Sequence, residues 1–143
     1  MRRTALIGSM LALSAVALAA CGGGSSTGGD PQSLVGTSYA VTTITVDGGT
    51  REVIDPVEIT FDTGTVSVAT PCNDMSGPVT YSDSVRTFGA LVSTKMACEP
   101  ALMEQDQVLA DALAANPTWQ LASGTLTLTG GGTVIVAESS TAP

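Results

Sequence analysis

Apolar and polar positions alternate with a period of two along most of the chain after Thr37. Val57, Ile59 and Phe61 fall on one side and Glu58, Thr60 and Asp62 on the other, the pattern of a half-buried strand. Thr63-Gly64 turns the chain, and Thr65 to Ala69 returns with the same alternation, which predicts a hairpin. A second set of strands is predicted at Thr118 to Ala122, Thr125 to Thr129 and Thr133 to Ala137, separated by Ser123-Gly124 and Gly130-Gly131-Gly132. Tyr39 to Val46 makes a further strand closed by Asp47-Gly48-Gly49, and weaker strands are predicted at Pro78 to Ser82 and Val85 to Leu91. One segment breaks the pattern. Between Pro100 and Ala115, Leu102, Leu109, Ala112 and Leu113 recur near helical spacing, with Glu104, Asp106 and Asp111 expected to point away from them. Pro100 suits a first helical turn, and Asn116-Pro117 stops the helix. The pattern predicts an α+β fold: a single curled, mostly antiparallel, barrel-like sheet packed on one α-helix.

The first twenty residues have a different character. Arg2 and Arg3 lead into an apolar run from Ala5 to Ala20, which reads as a secretory signal and is too short for a stop-transfer helix. Leu18-Ala19-Ala20-Cys21 resembles the lipobox of bacterial lipoproteins, and the resemblance implies cleavage before Cys21 and lipidation of its thiol. Residues 21–33 are rich in Gly and Ser and read as a flexible linker from the lipid to the domain at 34–138, and residues 139–143 as a frayed tail. The expected location is extracytoplasmic, held on the cell membrane through acyl chains such as palmitate.

Charge narrows the partners. Asp and Glu number 13 against 5 Lys and Arg, and two of the five lie in the leader, leaving Arg51, Arg86 and Lys95. Such an acidic domain is unsuited to nucleic acid or an anionic membrane surface and favours a basic protein partner in the envelope. Histidine is absent, which removes Ser-His-Asp and Cys-His catalysis and every histidine-ligated metal. The aromatics Tyr39, Phe61, Tyr81, Phe88 and Trp119 are too few for a base-stacking platform.

With Cys21 lipidated, Cys72 and Cys98 remain as an even pair outside the cytoplasm, most simply a disulfide joining the end of a strand to the start of the helix. The alternative is a redox or nucleophilic thiol, against which stand the lack of a CxxC and of histidine. At these cysteines the chain resembles the META/HslJ domain family. Cys72-Asn73-Asp74-Met75-Ser76-Gly77 matches its first motif, except that Pro71 replaces a glycine. Thr94-Lys95-Met96-Ala97-Cys98 matches the second, and Leu34-Val35-Gly36-Thr37-Ser38-Tyr39 resembles the opening, with Tyr39 in place of tryptophan. The resemblance spans Leu34 to Ala137. It implies a curled antiparallel sheet on a helix and an envelope protein linked to stress or surface properties, with no established catalysis. A folding role is the first expectation for the motif residues, and a ligand or partner surface the second. Asn73 is expected to shape the turn after Cys72, Gly77 to supply a special backbone angle, Thr94 to satisfy a loop amide and Met96 to fill the core.

Other chemistry is thin. Phe61-Asp62-Thr63-Gly64 resembles the Asp-Thr-Gly signature of aspartic proteases, but the chemistry needs two such aspartates sharing a proton. Asp47, Glu52 and Asp55, with Asp62 or Asp83, lack an EF-hand spacing and read as a solvated acidic face rather than a calcium site. No cofactor or metal is expected. The leading expectation is a non-enzymatic, lipid-anchored interaction module supporting envelope integrity under stress. The alternative is a carrier or pilot-like module holding a lipid or apolar peptide beside Leu102 and Leu109. Aspartic-protease-like activity at Asp62 comes third.

Overall fold

The structure, a computed structural model, describes residues 34–81 and 86–140. The leader, Cys21, the linker, Asp83 and residues 141–143 lie outside the described residues. The elements in chain order are β1 (Thr37–Val46), β2 (Gly49–Arg51), β3 (Glu58–Asp62), β4 (Thr65–Ala69), β5 (Asp74–Tyr81), β6 (Arg86–Phe88), β7 (Val92–Ser93), α1 (Pro100–Ala114), β8 (Thr118–Ala122), β9 (Thr125–Gly130) and β10 (Thr133–Ser139). All described pairings are antiparallel, in the order β6-β5-β4-β3-β1-β10-β9-β8, with β2 added to β1 and β7 to β5.

The alternation sets the registers. Ile59 faces Val68 and Phe61 faces Val66 across the β3–β4 hairpin, so the inward side chains of both strands meet. Asp47-Gly48 and Gly131-Gly132 take positive φ at both central residues, the two-residue turn whose twist matches paired strands. β1 is the hinge of the sheet. Its first half pairs with β3 and its second with β2, while β10 runs along the other side throughout. Between Val41 and Thr43 the register with β10 shifts, so Thr42 is an extra residue and the buried positions run Tyr39, Val41, Ile44. A bulge of this kind bends the strand and sharpens its twist, which is how the sheet curls.

The helix closes the concave face. Leu109 and Leu113 are fully buried with Ile59, Phe61, Val66 and Leu126 in one core. Pro100 occupies the first turn and Asn116, at φ 53°, ends the helix in left-handed geometry before Pro117. The observed fold is the expected α+β class, one helix against a curled antiparallel sheet. Two expectations for the helix need correction. Asp106 does not point to solvent but is buried, and so is its neighbour Gln105. Leu102, by contrast, is only half-buried.

Candidate functional site

The two cysteine motifs meet at one end of the sheet. Cys72 lies between β4 and β5, Cys98 just before α1, and a disulfide joins them at a Cα separation of 6.0 Å. Asn73 lies beside it, buried, with its side-chain amide fully used. Its Oδ1 accepts from the Thr94 hydroxyl at 2.9 Å and from the Met96 amide at 2.8 Å. Its Nδ2 donates to Asp106 Oδ2 at 2.8 Å and to Cys72 Sγ at 3.0 Å. Both lone-pair sites and both amide hydrogens are thereby occupied, as a buried amide requires.

Asp106 completes the network from the helix. Its Oδ1 accepts from the Thr70 hydroxyl at 2.6 Å, and the same hydroxyl oxygen accepts from the Asn73 backbone amide at 2.9 Å. A carboxylate inside a core is tolerated where it is hydrogen-bonded on both oxygens. The neighbouring Gln105 does comparable work on the other flank, where its Oε1 accepts from the Ile54 amide and its Nε2 donates to the Ile54 carbonyl. These polar side chains lock the helix to loops that offer no ladder partner of their own.

Asn73 thus shapes more than a turn: it binds β4–β5, the 94–96 segment and α1 together. The Thr94 hydroxyl accepts from the amide of Asp74, the first residue of β5, at 3.0 Å. Gly77 differs from expectation. It lies within β5 without a positive φ, and a Cβ there would come within 2.9 Å of the Ala90 carbonyl and the Leu91 side chain. Its role is close approach of two backbones. Met96 also differs, because it is 62% exposed and takes no part in the core.

Met96 instead lines a groove of about 420 Å³ between the 93–97 segment and the helix, with Met75 at its buried side and Met103 opposite. The chain has five methionines, two of them (Met1 and Met10) in the leader, and the other three all line this groove. Ser93, Thr94, Lys95, Ala97, Gln107 and Ala110 also line it, with the buried Asn73 and Asp106. Sequence reasoning misses this groove, because Met96 is expected in the core and only the fold brings Met75 and Met103 to it. A second, smaller cavity of about 230 Å³ lies between β1, residues 51–54 and α1, floored by Ile44, Ile54 and Val108. The Arg51–Glu104 ion pair stands in its lining.

The remaining candidates are dispersed. Asp62 is exposed at the end of β3, paired in register with Thr65 across a turn whose Gly64 has φ 76°. The Asp-Thr-Gly run therefore makes a hairpin turn. Among the described residues no group of three or more Cys, Asp or Glu is placed to hold a metal ion. Among them also, no helix is long and apolar enough to cross a membrane.

A curled antiparallel sheet closed by one helix, with a disulfide and a buried Asn–Asp network joining the two motif segments, defines a small α+β module of one unit. Residues 32–141 match the model of the META domain, and the chain belongs to that family. The fold is similar to two structures solved by NMR. One is a protein from Burkholderia xenovorans, with a TM-score of 0.65 at 24% identity, covering 78% of this chain and 87% of that one. The other has a TM-score of 0.64 at 25% identity and covers 77% and 94% respectively. No curated protein matches the chain.

Proposed function

We propose that this META domain is a non-enzymatic interaction module of the bacterial cell envelope, anchored through lipid on Cys21, that supports envelope integrity under stress by binding another envelope protein. The observation that carries the reading is the methionine-lined groove. Thioether side chains are unbranched and adaptable, suited to surfaces that must accept another molecule's apolar side chains. Here they stand on a rigid base, since every polar atom of the Asn73 side chain beneath them is engaged within the protein. The acidic balance of the chain favours a basic partner.

The carrier alternative has less room. Leu102 lines neither of the two cavities, and the smaller one, walled on the helix by Ala101, Gln105 and Val108, is about 230 Å³, below the roughly 300–1,000 Å³ of ordinary small-molecule sites. Leu109 is fully buried in the core rather than lining a cavity. The test is crosslinking in intact envelopes, with the Cys21→Ser form as control. A dominant protein partner that is lost in the control is the expected result. A co-purifying lipid with no protein partner would replace this reading with the carrier.

A further inference from the structure

The edge of the sheet beside the groove is covered at one end and open at the other. β5 has β4 on one side, and on its other side the irregular run 86–96, which includes β6 and β7. Hydrogen-bonded and outward-facing residues alternate along such an edge. Gly89 donates to the Pro78 carbonyl at 2.8 Å, so Phe88, one residue earlier, turns its backbone amide away from β5 while its side chain stays buried. Its amide is taken by Asn116 Oδ1 at 2.9 Å. Further along, Thr94 donates to the Asp74 carbonyl at 3.0 Å, and Ser93 and Val92 stand opposite Met75 and Ser76. Thr94 and Met96 therefore turn their amides inward, and Ser93 and Lys95 turn theirs out. Neither outward amide, nor the carbonyl of either residue, has a protein partner among the described residues. Val92, on this open stretch, is 73% exposed.

Open main chain and methionine groove lie side by side, since Ser93 and Lys95 belong to both and Met96 adjoins them in the groove. From this juxtaposition we infer that residues 92–96 are a strand-addition site for an extended peptide, apolar at alternate positions and basic between them. The inference rests on the interaction-module reading and names its surface and partner chemistry. The unpaired amides of Ser93 and Lys95 select a polypeptide over an acyl chain, which has no groups to pair with them. Alternate apolar side chains of the added strand fall on the side of Met75, Met96 and Met103, because side chains along a strand repeat every second residue. The basic residues answer the acids that flank the edge, with Asp74 and Glu99 exposed on either side and a net charge of −8 over the whole chain. Lys95 is the one basic side chain on the segment, and a single charge of that sign does not reverse the field.

The test uses the full-length protein and a fluorescein-labelled seven-residue peptide of alternating lysine and leucine, followed by fluorescence anisotropy. Saturable binding that weakens with salt is expected. The same peptide N-methylated at every second amide should bind about tenfold more weakly, as should a version with glutamate in place of lysine. Ser93→Pro removes the outward amide and one exposed hydroxyl bond to the Thr94 carbonyl, neither of which pairs with β5, so it should keep a melting temperature close to wild type while weakening binding by about tenfold. Met103→Gln, on the exposed groove wall, gives a second route should Ser93→Pro lower the melting temperature, and it should also weaken the peptide. Absence of binding, equal binding of the N-methylated peptide, or wild-type affinity in both variants would overturn the assignment. So would peptide-independent self-association that Ser93→Pro abolishes, which would mark a homodimer edge. Envelope crosslinking that survives Ser93→Pro would leave the interaction module standing and place its contact elsewhere.

Discussion

Asn73 and Asp106 are 33 positions apart, and one hydrogen bond of 2.8 Å between them fixes the helix to the disulfide loop. The two residues also share Thr70, so their contributions are coupled through a common partner as well as directly. Asp106→Ala leaves a buried Asn73 amide hydrogen without its acceptor and leaves the Thr70 hydroxyl only the Asn73 carbonyl, which should cost about 2–3 kcal/mol in urea unfolding. Asn73→Ala should cost a similar amount, and the double variant less than their sum by about 1–2 kcal/mol. Strict additivity would mean that the network is not a unit. This residue-scale device was half legible. Asn73 stood out through its motif, but Asp106 lies among acids on a helix where charge ordinarily means solvent. What draws it inward is the supply of donors from Thr70 and Asn73, and pattern along a single chain carries no record of them. Met96 failed in the opposite direction: an apolar residue type suggested burial, yet the backbone amide of Met96 is held inward by Asn73 and its side chain is left outside.

At the scale of elements, alternation read the long hairpins closely and the irregular edge poorly. Thr65 to Ala69 and Thr118 to Ala122 fall where their apolar positions place them, because each has one buried and one open face. The run 86–96 has no such pattern. It is held by close backbone approach at Gly77 and Gly89 and by side-chain bonds from Asn73 and Asn116, contacts that join residues distant in sequence. The strand expected from Pro78 likewise begins earlier, at Asp74, as β5. The role of Gly77 is testable. A methyl group there meets the Ala90 carbonyl and Leu91 Cδ2 at 2.9 Å, so Gly77→Ala must push the edge away from β5. A loss of about 1–3 kcal/mol is expected, with faster amide exchange at residues 90–94 than elsewhere in the sheet. Uniform loss of protection across the sheet would show that the contact serves global stability and not the edge.

For the whole molecule, the disulfide and the charge act on different states. The Cys72–Cys98 bridge spans 26 positions and links the β4–β5 connection to the start of the helix, restricting the unfolded chain. Removing it should cost roughly 3–4 kcal/mol on the chain-entropy model. Because one bond is broken in either case, Cys72→Ser and Cys98→Ser should lose similar amounts, and the double variant little more than either alone. Dithiothreitol should lower the melting temperature of the wild type and leave the double variant unchanged. Even when the variants are cooled back to full folding, they separate two roles. Asn73 still holds Thr94 and Met96 through its side-chain Oδ1, so the open edge keeps its shape without the bridge. Peptide binding measured well below the melting temperature should therefore persist in Cys72→Ser within about threefold, a change worth less than one ordinary hydrogen bond. A complete loss of binding in a variant that is still folded would instead make the disulfide, and with it the redox state of the compartment, a control on the docking surface.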